Sequence, residues 1–328
     1  MSELRQDLVS GDWIILSTER AKRPHDLIKK KTEKRKPTPI KDCPFEDLKK
    51  SGNWPPVEIQ PNEKNWKVAI IPNKYPALRH ENDCAFPFKT GPYERMDGVG
   101  HHELAITRNH SKNIAHLSAK EGYEVFKLLG GRYRELQKDK CHIYTLAFAN
   151  WGQSAGASLY HPHFQMLTLP IIPPHVSRSL AGSAAYFKKH RRCVHCEMSA
   201  FEKKDKKRII YENSGALAIA PFASMEPFQV KIFPKKHRPY FEKTSDSEMK
   251  SVVSALQAVL LKIEKNLRDP DFNFFIHTAP FRNQASYNHY HWHIEILPKI
   301  STLAGFELGT GVDINVVDPD VAAAILRK

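Results

Sequence analysis

The chain has 328 residues and a formal net charge of +14, with 50 lysines and arginines against 36 aspartates and glutamates. That length supports one large domain or two ordinary ones with sizeable cores. No segment approaches the roughly 18 apolar residues of a membrane span, and the start Met1-Ser2-Glu3-Leu4-Arg5 lacks the apolar stretch of a signal peptide, so a cytoplasmic protein without membrane contact is expected.

The positive excess is concentrated in residues 20–50, above all in Lys29-Lys30-Lys31 and Lys34-Arg35-Lys36. A basic run can neutralise the phosphates of a polymer, but no aromatic residue separates these two runs and nothing beside them specifies a groove-reading fold. Nucleic acid is therefore not expected as a partner. The expected effect is long-range steering of small anionic ligands.

Alternating apolar patterns predict strands at residues 66–72 and 103–108; a helical period covers 120–137, and further strands follow at 142–149 and 163–169. Pro170-Ile171-Ile172-Pro173-Pro174-His175 then breaks regular structure and predicts an extended connector. Beyond it the order recurs, with strands at 216–220 and 229–233, a helix over 247–266 and strands at 273–278 and 291–297. Landmarks keep a nearly constant offset: 127 positions from His110 to His237, 128 from His161 to His289 and 128 from Pro170 to Pro298. From Cys43 to Cys193 the offset is 150, as a longer loop in the first copy requires. The expectation is an α+β fold made by internal duplication, with similar units at 1–172 and 173–328, each a mostly antiparallel sheet with one long helix.

The stretch Gly156-Ala157-Ser158-Leu159-Tyr160-His161-Pro162-His163-Phe164-Gln165 sets a small-residue turn before two histidines. With a strand period of two, His161, His163 and Gln165 share one face. An imidazole that attacks phosphorus needs one ring nitrogen unprotonated, the other held by a hydrogen bond, and a nearby donor for the displaced charge. This pattern can supply all three. The second copy reads His289-Tyr290-His291-Trp292-His293 and lacks the small-residue turn, so catalysis is expected in the first.

This segment, extended back to Asn150-Trp151-Gly152-Gln153-Ser154-Ala155, resembles the active-site segment of the galactose-1-phosphate uridylyltransferase family, within the histidine-triad superfamily. The likeness extends to Arg20-Ala21-Lys22-Arg23-Pro24, Asn73-Lys74-Tyr75-Pro76-Ala77-Leu78, His102-Glu103 and Ala304-Gly305-Phe306-Glu307-Leu308-Gly309-Thr310-Gly311, and so covers nearly the whole chain.

The resemblance implies a nucleotidyltransferase that exchanges UMP between UDP-glucose and galactose 1-phosphate through a uridylyl-histidine. His163 is then the nucleophile, and Gln165 donates to a nonbridging phosphoryl oxygen. It further implies that Asn150 lines the phosphate site and that Arg20 and Arg23 meet substrate phosphates, for which a permanently charged, bidentate guanidinium is suited. Asn73 falls in the nucleotide-contact loop, Glu307 on the hexose-binding glutamate, and Gly156 and Ser158 add donors or shape the turn. Relatives are commonly homodimers. Within the family, ADP-glucose phosphorylases share this segment with phosphate as acceptor. A histidine-triad hydrolase usually has a third histidine where this chain has Gln165, which counts against that class.

Five cysteines include the close pair Cys193-Val194-His195-Cys196, a spacing that favours metal in a reducing compartment. With His237 and one histidine from 289–293 it makes a tetrahedral zinc site; the resemblance points to His291 and the repeat to His289. Where relatives often carry two cysteines, this chain has Cys43-Pro44-Phe45-Glu46. Cys43, Glu46, His110 and His161 then form either a second zinc site, glutamate ligating through oxygen, or a site that has lost its metal. Cys84 and Cys141 are expected to be plain thiols.

Overall fold

A computed structural model describes residues 2–20, 38–80 and 83–328. The chain opens with β1 (Glu3–Gln6), β2 (Trp13–Leu16), β3 (Glu58–Gln60), β4 (Val68–Pro72), the small hairpin β5 (Phe88–Thr90) and β6 (Tyr93–Arg95), and β7 (His101–Thr107). Helix α1 (Ala119–Leu136), β8 (Tyr144–Trp151) and β9 (His163–Leu169) follow, then helices α2 (Pro174–His190) and α3 (Val194–Asp205). The remainder is β10 (Ile209–Glu212), β11 (Ala216–Ile219), β12 (Val230–Pro234), α4 (Asp246–Leu267), β13 (Phe272–His277), β14 (His293–Pro298), α5 (Gly305–Thr310), β15 (Asp313–Asn315) and α6 (Pro319–Arg327).

Ten strands form one sheet in the order β10-β11-β12-β14-β13-β8-β9-β7-β4-β3, every neighbouring pair antiparallel. Read inward from either edge, each half contributes its strands in the same sequence. The halves meet where β8 pairs β13, with Asn150 opposite Asn273 and Phe148 opposite Phe275. β1, β2 and β15 make a separate three-stranded sheet.

Local chemistry sets the two long helices. Ser118 and Glu121 close a capping box at the start of α1, and Ser245 and Glu248 do the same for α4, satisfying N–H groups that the first turn leaves unpaired. The apolar stripe of α1 (Val125, Phe126, Leu129, Tyr133) and that of α4 (Val252, Leu256, Val259, Ile263) bury against one sheet face with Phe164, Met166, Ile294 and Ile296. Each such side chain contributes about 1.5–3 kcal/mol through burial. The opposite face is left to loops and smaller apolar clusters.

Three sequence expectations change. The proline cluster is not wholly extended: Pro173 caps α2 and Pro174 is its first residue, where the absent N–H costs nothing and φ is already helical. The repeat offset at the histidines is 130 positions, because β9 starts at His163 and β14 at His293. His161 therefore corresponds to His291. Cys84 and Cys141 are bonded to each other, their Cα atoms 4.9 Å apart, because the segment ahead of β5 crosses the turn between α1 and β8. Cys43, Cys193 and Cys196 remain free.

Candidate active site and metal clusters

His163 opens β9 on the face away from α1, at the wall of a cavity of about 790 Å³. Its Nδ1 lies 2.9 Å from the carbonyl oxygen of His161; a carbonyl only accepts, so Nδ1 carries the proton and Nε2 keeps its lone pair. Burial holds this imidazole below its usual pKa, against the pull of that carbonyl. Phe45 meets His161 and His163 edge-on, at 5.3 and 5.6 Å between ring centroids.

Gln165 is oriented by a residue whose role the sequence reading missed. The Ala77 backbone N–H donates to His102 Nδ1 at 3.1 Å, which places the ring proton on Nε2. That proton goes to Gln165 Oε1 at 3.0 Å, while Asn73 Nδ2, itself a donor, packs 3.1 Å from the same nitrogen without a proton acceptor there. The amide NH₂ of Gln165 is left to donate into the cavity. Strand alternation carried the signal, since His102 shares a face with Leu104 and Ile106, and Leu104 pairs with Gln165.

Asn73 and Ser158 line the same cavity, with Lys41, Lys50 and Lys74 among its basic groups. Asn73 Oδ1 accepts from the Tyr75 N–H at 3.0 Å. Asn150 Oδ1 accepts from Asn273 Nδ2 at 2.8 Å, which also donates to Ala155 O, tying β13 to the turn before His161. That turn needs glycine. Gly152 and Gly156 have φ of 86° and 85°, and a Cβ on Gly152 would lie 1.9 Å from Asp271 Oδ1. Arg20, exposed at the end of a short 3₁₀ turn, does not line the cavity. Glu307 does not either; its Oε2 accepts from Ala304 N–H at 3.1 Å and caps α5. Arg23 and the two basic runs lie outside the described residues.

Two four-residue clusters bring donor atoms within 4.8 Å of one another: Cys43, Glu46, His110 and His161, and Cys193, Cys196, His237 and His291. In the first, His110 Nε2 and His161 Nε2 each donate to a backbone carbonyl, of Thr38 and Thr107, both at 2.7 Å. Both Nδ1 lone pairs then turn inward, 2.9 and 3.4 Å from Glu46 Oε1, with Cys43 Sγ 3.4 Å from His161. In the second, Cys196 Sγ lies 3.4 Å from His237 Nδ1 and 3.5 Å from His291 Nδ1. His237 Nε2 donates to Asn288 O, again fixing the tautomer that a ligand needs. Hydrogen bonding from Cys196, ahead of His195, His237 and His291, pushes the Cys193 thiol well down despite its burial. His289 takes no part in the cluster.

Comparison with known proteins shows the family of the chain. Residues 1–173 match the family model described as galactose-1-phosphate uridyl transferase, N-terminal domain, and residues 96–327 match a domain of unknown function, DUF4921. The chain belongs to the galactose-1-phosphate uridylyltransferase family. It is 35% identical to an ADP-glucose phosphorylase of Arabidopsis thaliana over 99% of this chain and 92% of that one. Identity to a galactose-1-phosphate uridylyltransferase of Thermotoga maritima is 28%, over 100% and 98%. Among solved structures, an Arabidopsis ADP-glucose phosphorylase with bound ADP-glucose superposes with a TM-score of 0.85 at 32% identity, covering 100% of this chain and 99% of that one. The chain is thus an α+β enzyme of the nucleotidyl-transferring type. No helix among the described residues is long and apolar enough to cross a membrane.

Proposed function

We propose that the protein transfers a nucleotidyl group from a nucleotide sugar through His163, with ADP-glucose as donor and inorganic phosphate as acceptor. The observation that carries the chemistry is the unprotonated Nε2 of His163 at the cavity wall, beside the freed amide of Gln165. In the first half-reaction Nε2 attacks the α-phosphorus of ADP-glucose. The bond from that phosphorus to the bridging oxygen breaks, and glucose 1-phosphate departs with the electron pair. In the second, a phosphate oxygen attacks the same phosphorus, the P–N bond breaks, and ADP leaves with Nε2 restored. Gln165 donates to the nonbridging oxygens where charge builds.

The choice of donor and acceptor rests on the Arabidopsis phosphorylase, matched at 35% against 28% for the Thermotoga transferase. The exchange of UMP between UDP-glucose and galactose 1-phosphate, the first reading of the sequence, uses the same two residues and ranks second.

Both clusters have a donor set that suits zinc: sulfur and nitrogen in one, with one oxygen replacing sulfur in the other. Its chemistry here is structural, anchoring the His161 and His291 backbones from which His163 and His293 hang. We propose also that the repeated strand order reflects duplication with a boundary at 172/173, and that the protein works as a cytoplasmic homodimer.

The test is product analysis with four pairings: ADP-glucose or UDP-glucose, with phosphate or galactose 1-phosphate. ADP and glucose 1-phosphate formed at the highest kcat/KM is the expected result. Faster formation of UDP-galactose would move the assignment to the transferase.

A further inference from the structure

The face of β7 opposite His102 carries a third donor cluster. His80, His101 and His142 each bring a ring nitrogen within 4.8 Å of the other two. They come from three places: the segment leading to Cys84, the first residue of β7, and the turn between α1 and β8. The Cys84–Cys141 bond ties the first of these to the third. Arg282 fixes the third by donating to the carbonyls of Asp139 and His142.

His142 is 1% exposed. Its Nδ1 donates to the Leu136 carbonyl at 2.9 Å, so Nε2 bears a lone pair, and that buried atom has no hydrogen-bond partner among the described residues. A buried acceptor left unmet is unfavourable. It points toward Asp139 Oδ2, 3.6 Å away, which in turn lies 3.8 Å from His80 Nδ1. His101 Nδ1 faces Glu103 Oε1 at 3.4 Å, and Glu103 is held by both arms of Arg132. A carboxylate behind an imidazole, with the opposite nitrogen free, is the arrangement that orients histidine toward a metal.

We propose that His80, His101 and His142, with Asp139 as fourth ligand, bind a divalent transition metal of the imidazole-preferring class, zinc in the first instance. Tetrahedral zinc needs ligand atoms about 3.4 Å apart, given zinc–nitrogen bonds of about 2.1 Å. Closing from the present spacing calls on the exposed His80, whose ring stacks on His101 at 4.5 Å. The bound metal would pin the chain that runs from Asn73 past His80, and so the wall of the cavity on the other side of β7.

The experiment is zinc titration of the full-length protein as purified, by calorimetry and by counting zinc per chain, in wild type, His80→Gln, His101→Gln and His142→Ala. The expected result is one equivalent beyond the cysteine-containing clusters, weakened about tenfold or more by His80→Gln and lost in His142→Ala. His80 is exposed, so its variant decides the matter even where His142→Ala fails to fold. Cobalt(II) separates this site from the other two, because nitrogen and oxygen ligands give visible d–d bands without thiolate-to-metal charge transfer. Unchanged stoichiometry and affinity in His80→Gln and His101→Gln, or cobalt spectra showing thiolate ligation alone, would overturn the proposal.

Discussion

His163 and His293 occupy corresponding points of the two halves of the sheet, each donating Nδ1–H to the carbonyl of the histidine two residues earlier, at 2.9 and 3.1 Å. Their surroundings differ. His163 lines the large cavity, whereas His293 is packed between His277 and His195, with centroids 4.7 and 5.0 Å away. Two positions on, the first half has neutral Gln165 and the second Glu295, which receives hydrogen bonds from His277 and Gln229. Burial pushes Glu295 up, but Lys231, with His277 and Gln229, outweighs it and holds the carboxyl at about 2. The same backbone arrangement thus borders an open cavity, the proposed reaction centre, in one half and holds a buried charge network in the other.

The largest effect that would break this comparison is catalytic. His163→Ala should cut kcat by a factor on the order of 10⁴ or more, as loss of a nucleophile does, while His293→Ala should leave kcat within a few-fold and lower the melting temperature. Steady-state assays and thermal melts on both variants measure the two halves of that statement, and equal losses of kcat would erase the distinction.

Next comes stability. Glu295→Ala leaves Lys231 buried with Asp7 as its remaining acid, 3.7 Å away, and should cost about 3–5 kcal/mol; Gln165→Ala, half-buried and uncharged, should cost no more than about 1.5. Denaturant titration gives both numbers. The pH dependence has a definite sign: a carboxyl near 2 in the folded chain and about 4.3 when unfolded stabilises fully above 4.3, and that stability drains away as pH falls toward 2. Glu295→Gln should flatten the stability curve across that window.

The elements built on short-range periodicity were legible in the sequence. The strand over 163–169 has its predicted ends, and helices α1 and α4 differ from prediction by a residue at each end. What was not legible depends on three-dimensional placement. The offset of 128 taken from Pro170 and Pro298 slips by two residues at the histidines, which on a strand keeps the face but misplaces the partner of His161. The capping bond that the Glu307 carboxylate accepts from Ala304 N–H was likewise not read from the family pattern it fits. The Cys84–Cys141 bond joins residues 57 positions apart, and no local pattern announces it. His102 was visible as part of a segment, and its role became clear through the Ala77 amide that sets its tautomer.

A smaller effect sharpens the picture at Gln165. His102→Ala removes the donor that turns Gln165 outward and should lower kcat by about ten- to a hundredfold with little change in KM, because the amide acts where charge develops. His102→Gln, which can still donate to Gln165 Oε1, should recover part of that loss. A change confined to KM would mean that His102 serves binding alone.

The smallest effect compares the two cysteine-containing clusters. Glu46→Cys gives the first the ligand set of the second, and should raise its zinc retention against a chelator about tenfold without altering kcat, thiolate being the softer ligand. Equal retention before and after would show that oxygen at position 46 costs nothing.

The assignment of chemistry to one half is tested most directly by trapping the intermediate. The protein is incubated with ADP-glucose labelled at the α-phosphate, without acceptor, digested at alkaline pH to preserve a phosphoramidate, and the adduct is mapped by mass spectrometry in wild type, His163→Ala and His293→Ala. A nucleotidyl group on His163 in wild type and His293→Ala, and none in His163→Ala, is the predicted result. An adduct on His293, or labelling that persists without His163, would contradict it.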